Sequence, residues 1–298
     1  MIPKEVLDKV RRIEITTSRM VTDVFAGAYH SVFKGRGMEF DEVREYQMGD
    51  DIRTIDWNVS ARMGKTYIKK FVEERELTVM ILVDASASTH FGSVKEMKNT
   101  LAAEIAAVLA FAAIRNNDKV GLIMFTDGVE LFIPPRKGKS HVLRVIREVL
   151  YFQPKGRGTN ISAALEYLTR VSRRKTIAFV ISDFFDLAPD ASPRFRPLMR
   201  IVNKYHDIIA ITLNDPREMD LPDCGLISLE DAEQGGRVLV DSSHPQVRSK
   251  YKAKALQRLD ARSRLFRSMN VDHIDVTTDE PYAKHLVQFF AGRQRRNR

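Results

Sequence analysis

The chain has 298 residues, 44% of them hydrophobic, and carries 48 Lys and Arg against 39 Asp and Glu, for a net charge of +9. Such a length and apolar content support one large domain, or a domain with a substantial extension, around a real core. The single cysteine, Cys224, excludes an intramolecular disulfide and reads as a buried thiol. The opening stretch MIPKEVLDKVRRIEI is charged from residue 4 onward and lacks the apolar run of a signal peptide. The most hydrophobic helical run, LAAEIAAVLAFAAI at 101–114, is too short to span a bilayer and contains Glu104. A cytoplasmic protein without a transmembrane segment is therefore expected, with peripheral contact to an anionic membrane face left open. The basic patches PPRKGK, SRRK and RQRRNR are scattered among acidic residues, and no aromatic-interleaved motif or zinc knuckle accompanies them. Nucleic acid is not the expected partner.

In chain order, Val6, Val10, Ile13, Met20 and Val24 follow helical spacing after Pro3, which predicts a helix over 3–26 broken near Thr16 to Ser18. Residues 30–76 are dense in charge and punctuated by Gly35, Gly37, Gly49 and Gly64, the pattern of an irregular but ordered module. From residue 77 the pattern alternates between strand and helix, which predicts an α/β fold with a mostly parallel sheet and helices on both faces. Strands are expected at 77–84, 119–126, 129–134, 175–182, 207–213 and 271–276. Helices are expected at 94–116, 139–151, 161–173, 194–205, 245–269 and 281–291. The short turn at Gly128 makes the second and third of these strands an antiparallel hairpin at a sheet edge. Residues 214–244 break the alternation with Pro216, Pro222, Gly225, Gly235 and Gly236, and read as a surface insertion holding a hairpin from LISLED to RVLVD. The long basic helix after it offers an apolar stripe of Val247, Tyr251, Leu256, Leu259 and Leu265. The organisation expected is a module at 1–76, an α/β domain at 77–292 and a basic tail at 293–298.

Chemistry concentrates where apolar runs end. LTVMILVDASAS, residues 77–88, is a strand that delivers Asp84, Ser86 and Ser88 beyond its carboxyl end. Side chains at alternate positions can share one side, so these three can converge on one cation. Their hard oxygen donors suit Mg²⁺ or Mn²⁺ rather than zinc or copper. Thr159 lies in the glycine-rich loop GRGTN before a helical pattern, and Asp183 ends TIAFVISD, a second strand-to-carboxylate layout. Read singly, each of the five is an ordinary cap residue; in this order, at strand and loop ends, together they read as a metal site.

The order DxSxS, then a loop Thr, then a strand-terminal Asp, resembles the metal-ion-dependent adhesion site of von Willebrand factor A domains. The segment KGRGMEFDEVREYQMGDDIRTIDWNVSARMGKTYIKKFVEERELTVMILVDASAS, residues 34–88, resembles the signature of the bacterial domain-of-unknown-function family numbered fifty-eight. The likeness is strong over 30–90 and a matter of pattern over 90–215. It implies a von Willebrand A-like domain joined to an N-terminal motif, and work with a MoxR-type AAA+ ATPase as an adaptor in protein maturation or remodelling. It also implies that Ser86, Ser88 and Thr159 are direct or near-direct Mg²⁺ ligands and that Asp84 and Asp183 act directly or through water. One position would stay open for an acidic residue of a partner or client protein.

Competing readings are weaker. Glu39, Asp41, Glu42, Glu45, Asp50, Asp51 and Asp56 could suggest a second acidic site for metal-assisted hydrolysis. They are interleaved with Arg44, Arg53, Arg62, Lys65, Lys69 and Lys70, so internal salt bridges or a docking surface are more economical. Trp57, the sole tryptophan, reads as a packing anchor between this module and the sheet, or else as an interface residue. No G-x-S-x-G elbow, Walker A loop, H-E-x-x-H or paired cysteine motif occurs, and the seven histidines are dispersed. A metal-dependent hydrolase would lack an evident general base beside its hydroxyls. A binding module, not an enzyme, is expected.

Overall fold

Runs such as VMILV, VGLIMF and IAFVI are apolar at every position because both faces of the strands they form are covered. In the computed structural model they become β3 (Thr78–Asp84), β4 (Lys119–Phe125) and β6 (Ile177–Ser182), and all six residues of β6 are buried. The residues described are Tyr29, Val32, 37–74, 77–94, 96–188, 192–230, 232–233 and 235–296. The helix expected over 3–26 lies outside them.

These strands join β5 (Val129–Arg136), β7 (Asp207–Asn214) and β10 (Asp272–Thr277) in one six-stranded sheet of order β10-β7-β6-β3-β4-β5. Every neighbouring pair is parallel except β4 with β5, the expected edge hairpin. Pro134 and Pro135 lack an N–H to donate and are tolerated because β5 is an edge strand. The chain moves from β3 outward to β4, then returns to place β6 on the other side of β3. The order therefore reverses between β3 and β6, and a crevice opens beyond their carboxyl ends.

The 3.6-residue periodicities become α2 (Lys98–Arg115), α3 (Lys139–Tyr151), α4 (Ile161–Val171), α5 (Arg196–Tyr205), α7 (Pro245–Ser268) and α8 (Tyr282–Arg296), with a one-turn α6 (Pro216–Met219). The Ala-rich α2 is apolar all round and is correspondingly buried, from Leu101 through Ala113 on almost every side. Its first residue, Lys98, is fully buried as well. On α7 the observed inner face runs through Ala255, Leu259, Arg262 and Phe266, at helical spacing. Leu256, assigned to the stripe from sequence, instead faces solvent. The insertion forms the expected hairpin, β8 (Leu226–Glu230) paired with β9 (Arg237–Asp241). Cys224 precedes it and is exposed, which corrects the buried-thiol reading: the chain there runs along the surface into the hairpin. Residues 293–296 of the expected basic tail instead continue α8, and Arg293 and Arg296 pair with Asp272, while 297–298 lie outside the described residues.

Residues 33–77 form a separate compact unit. The region expected to be irregular contains a regular hairpin, β1 (Gly37–Glu45) with β2 (Tyr67–Glu74), bulged between Phe40 and Glu42. Between its strands lies α1 (Trp57–Met63), capped by the Asp56 carboxylate and ended by Gly64 at φ +69°, a conformation glycine adopts without a Cβ penalty. The interleaved charges pair internally: Arg44 with Asp50, Lys65 with Glu45 and Lys69 with Asp56. Trp57, the first residue of α1, is 71% exposed and does not anchor packing within this unit.

Candidate metal centre

β3 and β6 lie side by side and end in Asp84 and Asp183, so the crevice at the strand-order reversal is walled by two carboxylates. Both are almost wholly buried. Asp84 Oδ1 accepts the Ser86 N–H at 2.9 Å, and its Oδ2 accepts the Ser182 hydroxyl at 2.6 Å. The first bond folds the chain back after the strand and sets Ser86 Oγ 3.0 Å from Ser88 Oγ. Burial, followed by the nearby Asp183 charge, pushes the Asp84 carboxyl up to about 7.

The GRGTN loop is held against this turn by atoms that leave no room for a side chain. Asp127 Oδ2 accepts the N–H groups of Arg157 and Gly158, and Glu130 accepts those of Lys155 and Gly156. A Cβ on Gly156 would lie 2.3 Å from Thr126 Oγ1, and one on Gly158 would lie 2.3 Å from Asp127 Oδ1. The loop is thereby drawn in until Ala87 N–H donates to Arg157 O at 2.9 Å, joining the segment that carries Thr159 to the one that carries Ser86 and Ser88. Thr159 is buried, and its hydroxyl donates to Glu233 Oε1 at 2.8 Å. Asn160 then caps α4 through the Ala163 N–H.

Asp183 is engaged on its other side. Its Oδ2 lies 3.2 Å from Lys98 Nζ, and Lys98 also contacts Glu218 on α6. Burial acts to lower the Lys98 ammonium, but Asp183 and Glu218 together hold it above its ordinary value. Arg262 of α7 donates to the Asp183 carbonyl at 2.9 Å and to Asn214 Oδ1 at 2.6 Å. The next residue, Phe184, has φ +60°, a left-handed conformation unfavourable for an aromatic residue and held here by its ring packing on Phe195 and Phe266. Beside Asp183 opens a largely apolar cavity of about 420 Å³, lined by Phe184, Phe185, Leu187, Ala255, Leu259 and Leu265 among others.

Sequence reasoning missed Lys98, Glu218 and Arg262, and also two buried carboxylates. Asp186 accepts the Ile161 N–H at the start of α4. Asp215 accepts hydrogen bonds from the Ser93 hydroxyl, the Arg217 N–H at 2.9 Å, Thr278 Oγ1 at 2.7 Å and the Ser93 N–H at 2.9 Å, and against the effect of burial these keep its carboxyl below the ordinary range. Asp215 follows β7 in the same strand-to-carboxylate layout as Asp84 and Asp183, a signal that could have found it. Lys98 and Glu233 carry no such local signal.

The donor set fits a hard divalent cation. Ligands about 2.1 Å from Mg²⁺ at right angles lie about 3 Å apart, and the Ser86 and Ser88 hydroxyl oxygens are separated by 3.0 Å. Burial and the neighbouring Asp183 disfavour the ionised form of Asp84, and a cation in the crevice would offset that penalty. Among the described residues no three His, Cys, Asp or Glu side chains converge as a metal-binding group, so the hydroxyls are needed to complete any shell.

The family "Protein of unknown function DUF58" matches residues 42–260. The chain belongs to the DUF58 family. Among similar sequences, "Uncharacterized protein Rv1480" of Mycobacterium tuberculosis (strain ATCC 25618 / H37Rv) is 32% identical over 96% of this chain and 89% of its own length. "Uncharacterized protein YeaD" of Bacillus subtilis (strain 168) is 26% identical over 36% of this chain and 25% of its own. Solved structures similar to this DUF58 chain include an aerotolerance-related membrane protein from Bacteroides fragilis NCTC 9343, at 16% identity, TM-score 0.49, covering 72% of this chain and 99% of that one. The SpRpn10 VWA domain is similar at 12% identity, TM-score 0.38, covering 71% and 93%. No helix among the described residues is long and apolar enough to cross a membrane.

Proposed function

We propose that this DUF58 protein is a Mg²⁺-dependent protein-binding module that acts as adaptor or partner of a MoxR-type AAA+ ATPase in the maturation or remodelling of other proteins. The observation that carries this reading is the pair of serine hydroxyls 3.0 Å apart beyond Asp84, at the reversal of strand order. Ser86, Ser88 and Thr159 would hold the ion, with Asp84 and Asp183 setting its charge. When bound, Mg²⁺ would offer its remaining coordination position to a carboxylate of the partner. Asp84 keeps the Ser86 turn in place through the Ser86 N–H, while Lys98 pairs with Asp183 at the crevice wall. Arg258 and Arg262 line the adjoining apolar cavity, so the surface favours a partner segment that places an apolar side chain beside its acidic one. Binding is favoured over catalysis because both Asp84 oxygens already accept hydrogen bonds and Asp183 is paired with Lys98, so neither carboxylate is positioned as a general base for the Ser86 and Ser88 hydroxyls.

The test is calorimetric titration of wild type, Asp84→Ala and the double variant Ser86→Ala/Ser88→Ala with Mg²⁺ and Mn²⁺. Each protein is then mixed with a MoxR-type ATPase from the same organism, with and without chelator. Saturable metal binding lost in both variants, and a complex that requires the metal, is the expected result. A complex that forms equally well with chelator, or with the double variant, would overturn the reading.

A further inference from the structure

The carboxylate that meets Thr159 belongs to the insertion. Glu233 sits in the turn between β8 and β9, and its Oε1 accepts the Thr159 hydroxyl at 2.8 Å across 74 residues of sequence. The hairpin is built as an arm. Its base is closed by Ser242, which is fully buried: the Ser242 N–H and hydroxyl donate to Gly225 O at 2.8 and 2.7 Å, and Cys224 N–H donates to the Ser242 hydroxyl at 3.1 Å. Its strands expose Leu226, Val238 and Leu239, each more than 60% accessible. Five residues per strand give a reach of about 17 Å, and the far end delivers one carboxylate to one buried hydroxyl.

That hydroxyl is among those assigned to the cation. A donor oxygen 2.8 Å from a ligand oxygen sits at the spacing of adjacent positions around Mg²⁺, which is about 3 Å. We propose, building on the metal-centre reading above, that Glu233 is an internal carboxylate ligand of the centre. It occupies the position a partner's acidic residue would take, so the β8–β9 arm must lift before a partner can bind. The device accounts for a hairpin that is exposed along its strands yet buries its tip contact. It also makes the insertion a gate in which the internal and external carboxylates compete for one coordination position, and the arm's anchoring sets the threshold for exchange.

Full-length protein loaded with Mn²⁺ and followed by water-proton relaxation tests this, comparing wild type, Glu233→Gln and, as a control on the same hairpin, Glu230→Gln. Removing a ligand admits a water to the ion, so E233Q is expected to bind Mn²⁺ about tenfold more weakly and to raise the relaxivity of each bound ion. Added acetate, as a free carboxylate, should then lower the relaxivity of E233Q and leave wild type and E230Q nearly unchanged. Equal affinity, relaxivity and acetate response in wild type and E233Q would overturn the internal-ligand proposal while leaving the metal centre standing. Absence of saturable Mn²⁺ binding in all three proteins would overturn both.

Discussion

Lys98 Nζ lies 3.2 Å from Asp183 Oδ2, and both side chains are completely buried although 85 residues separate them. Lys98 opens α2, Asp183 closes β6, and the pair fixes the helix N-terminus to the crevice wall. Replacing Lys98 with Met leaves Asp183 and Glu218 without their shared cation, and removing one partner of a buried ion pair costs about 3–5 kcal/mol. Urea unfolding of Lys98→Met should show a loss of that order. Saturating Mg²⁺ should restore more stability to the variant than it adds to wild type, because a cation near Asp183 would replace part of the missing charge. A loss below about 1 kcal/mol, the range of an exposed ion pair, would contradict the buried geometry.

Asp84 makes stability depend on pH. Its folded carboxyl is raised to about 7 by burial and by Asp183, above an unfolded value near 4. Between those values the folded state holds the proton and the unfolded state does not, so Asp84's contribution to stability falls as pH rises from about 4 through 7. Above 7 both states are ionised and the dependence levels off. In chelator, the slope for this single group reaches about 1.4 kcal/mol per pH unit. Denaturation midpoints measured at intervals from acid to neutral pH should decline less for Asp84→Asn than for wild type, and identical profiles would contradict the assignment.

Gly158 has no space for a methyl group beside Asp127. Gly158→Ala should push the GRGTN loop outward and destabilise the protein by about 1–3 kcal/mol, the usual cost of overpacking. Because Thr159 follows directly, Mn²⁺ affinity should fall as well. Gly292, with nothing near its missing Cβ, supplies the control: Gly292→Ala should leave Mn²⁺ affinity unchanged. A Gly158→Ala protein with native melting temperature and metal affinity would show that the loop is not held as described.

Arg293 bridges Asp207 at the start of β7 and Asp272 at the start of β10, all three side chains largely buried. Truncation after Ala291 removes this bridge together with the Arg296–Asp272 pair, and should cost about 1–3 kcal/mol for the acceptors left unsatisfied. Arg295→Ala, at an exposed position of the same helix, should leave stability unchanged. Thermal melts of the truncation and of this variant separate a structural role of Arg293 and Arg296 from a loose basic segment, for which the truncation would melt like wild type.

The sheet was legible in the linear chain because burial on two faces leaves a local mark. VMILV and IAFVI are apolar at every position, and within two residues each is followed by the aspartate that the tertiary structure places in the crevice. The glycines of GRGTN and the turn at Gly128 likewise announced a tight loop and an edge hairpin, since backbone geometry restricts which residues can occupy them. The β1–β2 hairpin was not legible, because GMEFDEVRE and YIKKFVEE are dense in charge and their apolar alternations are short. Cys224 misled because residue type predicts only an average burial, and here the hairpin approach turns it outward. Lys98 with Asp183, and Glu233 with Thr159, were decided only by the tertiary structure. Their contacts join residues 85 and 74 positions apart, and no local pattern records which distant charge the folded chain will bring to a buried carboxylate or hydroxyl.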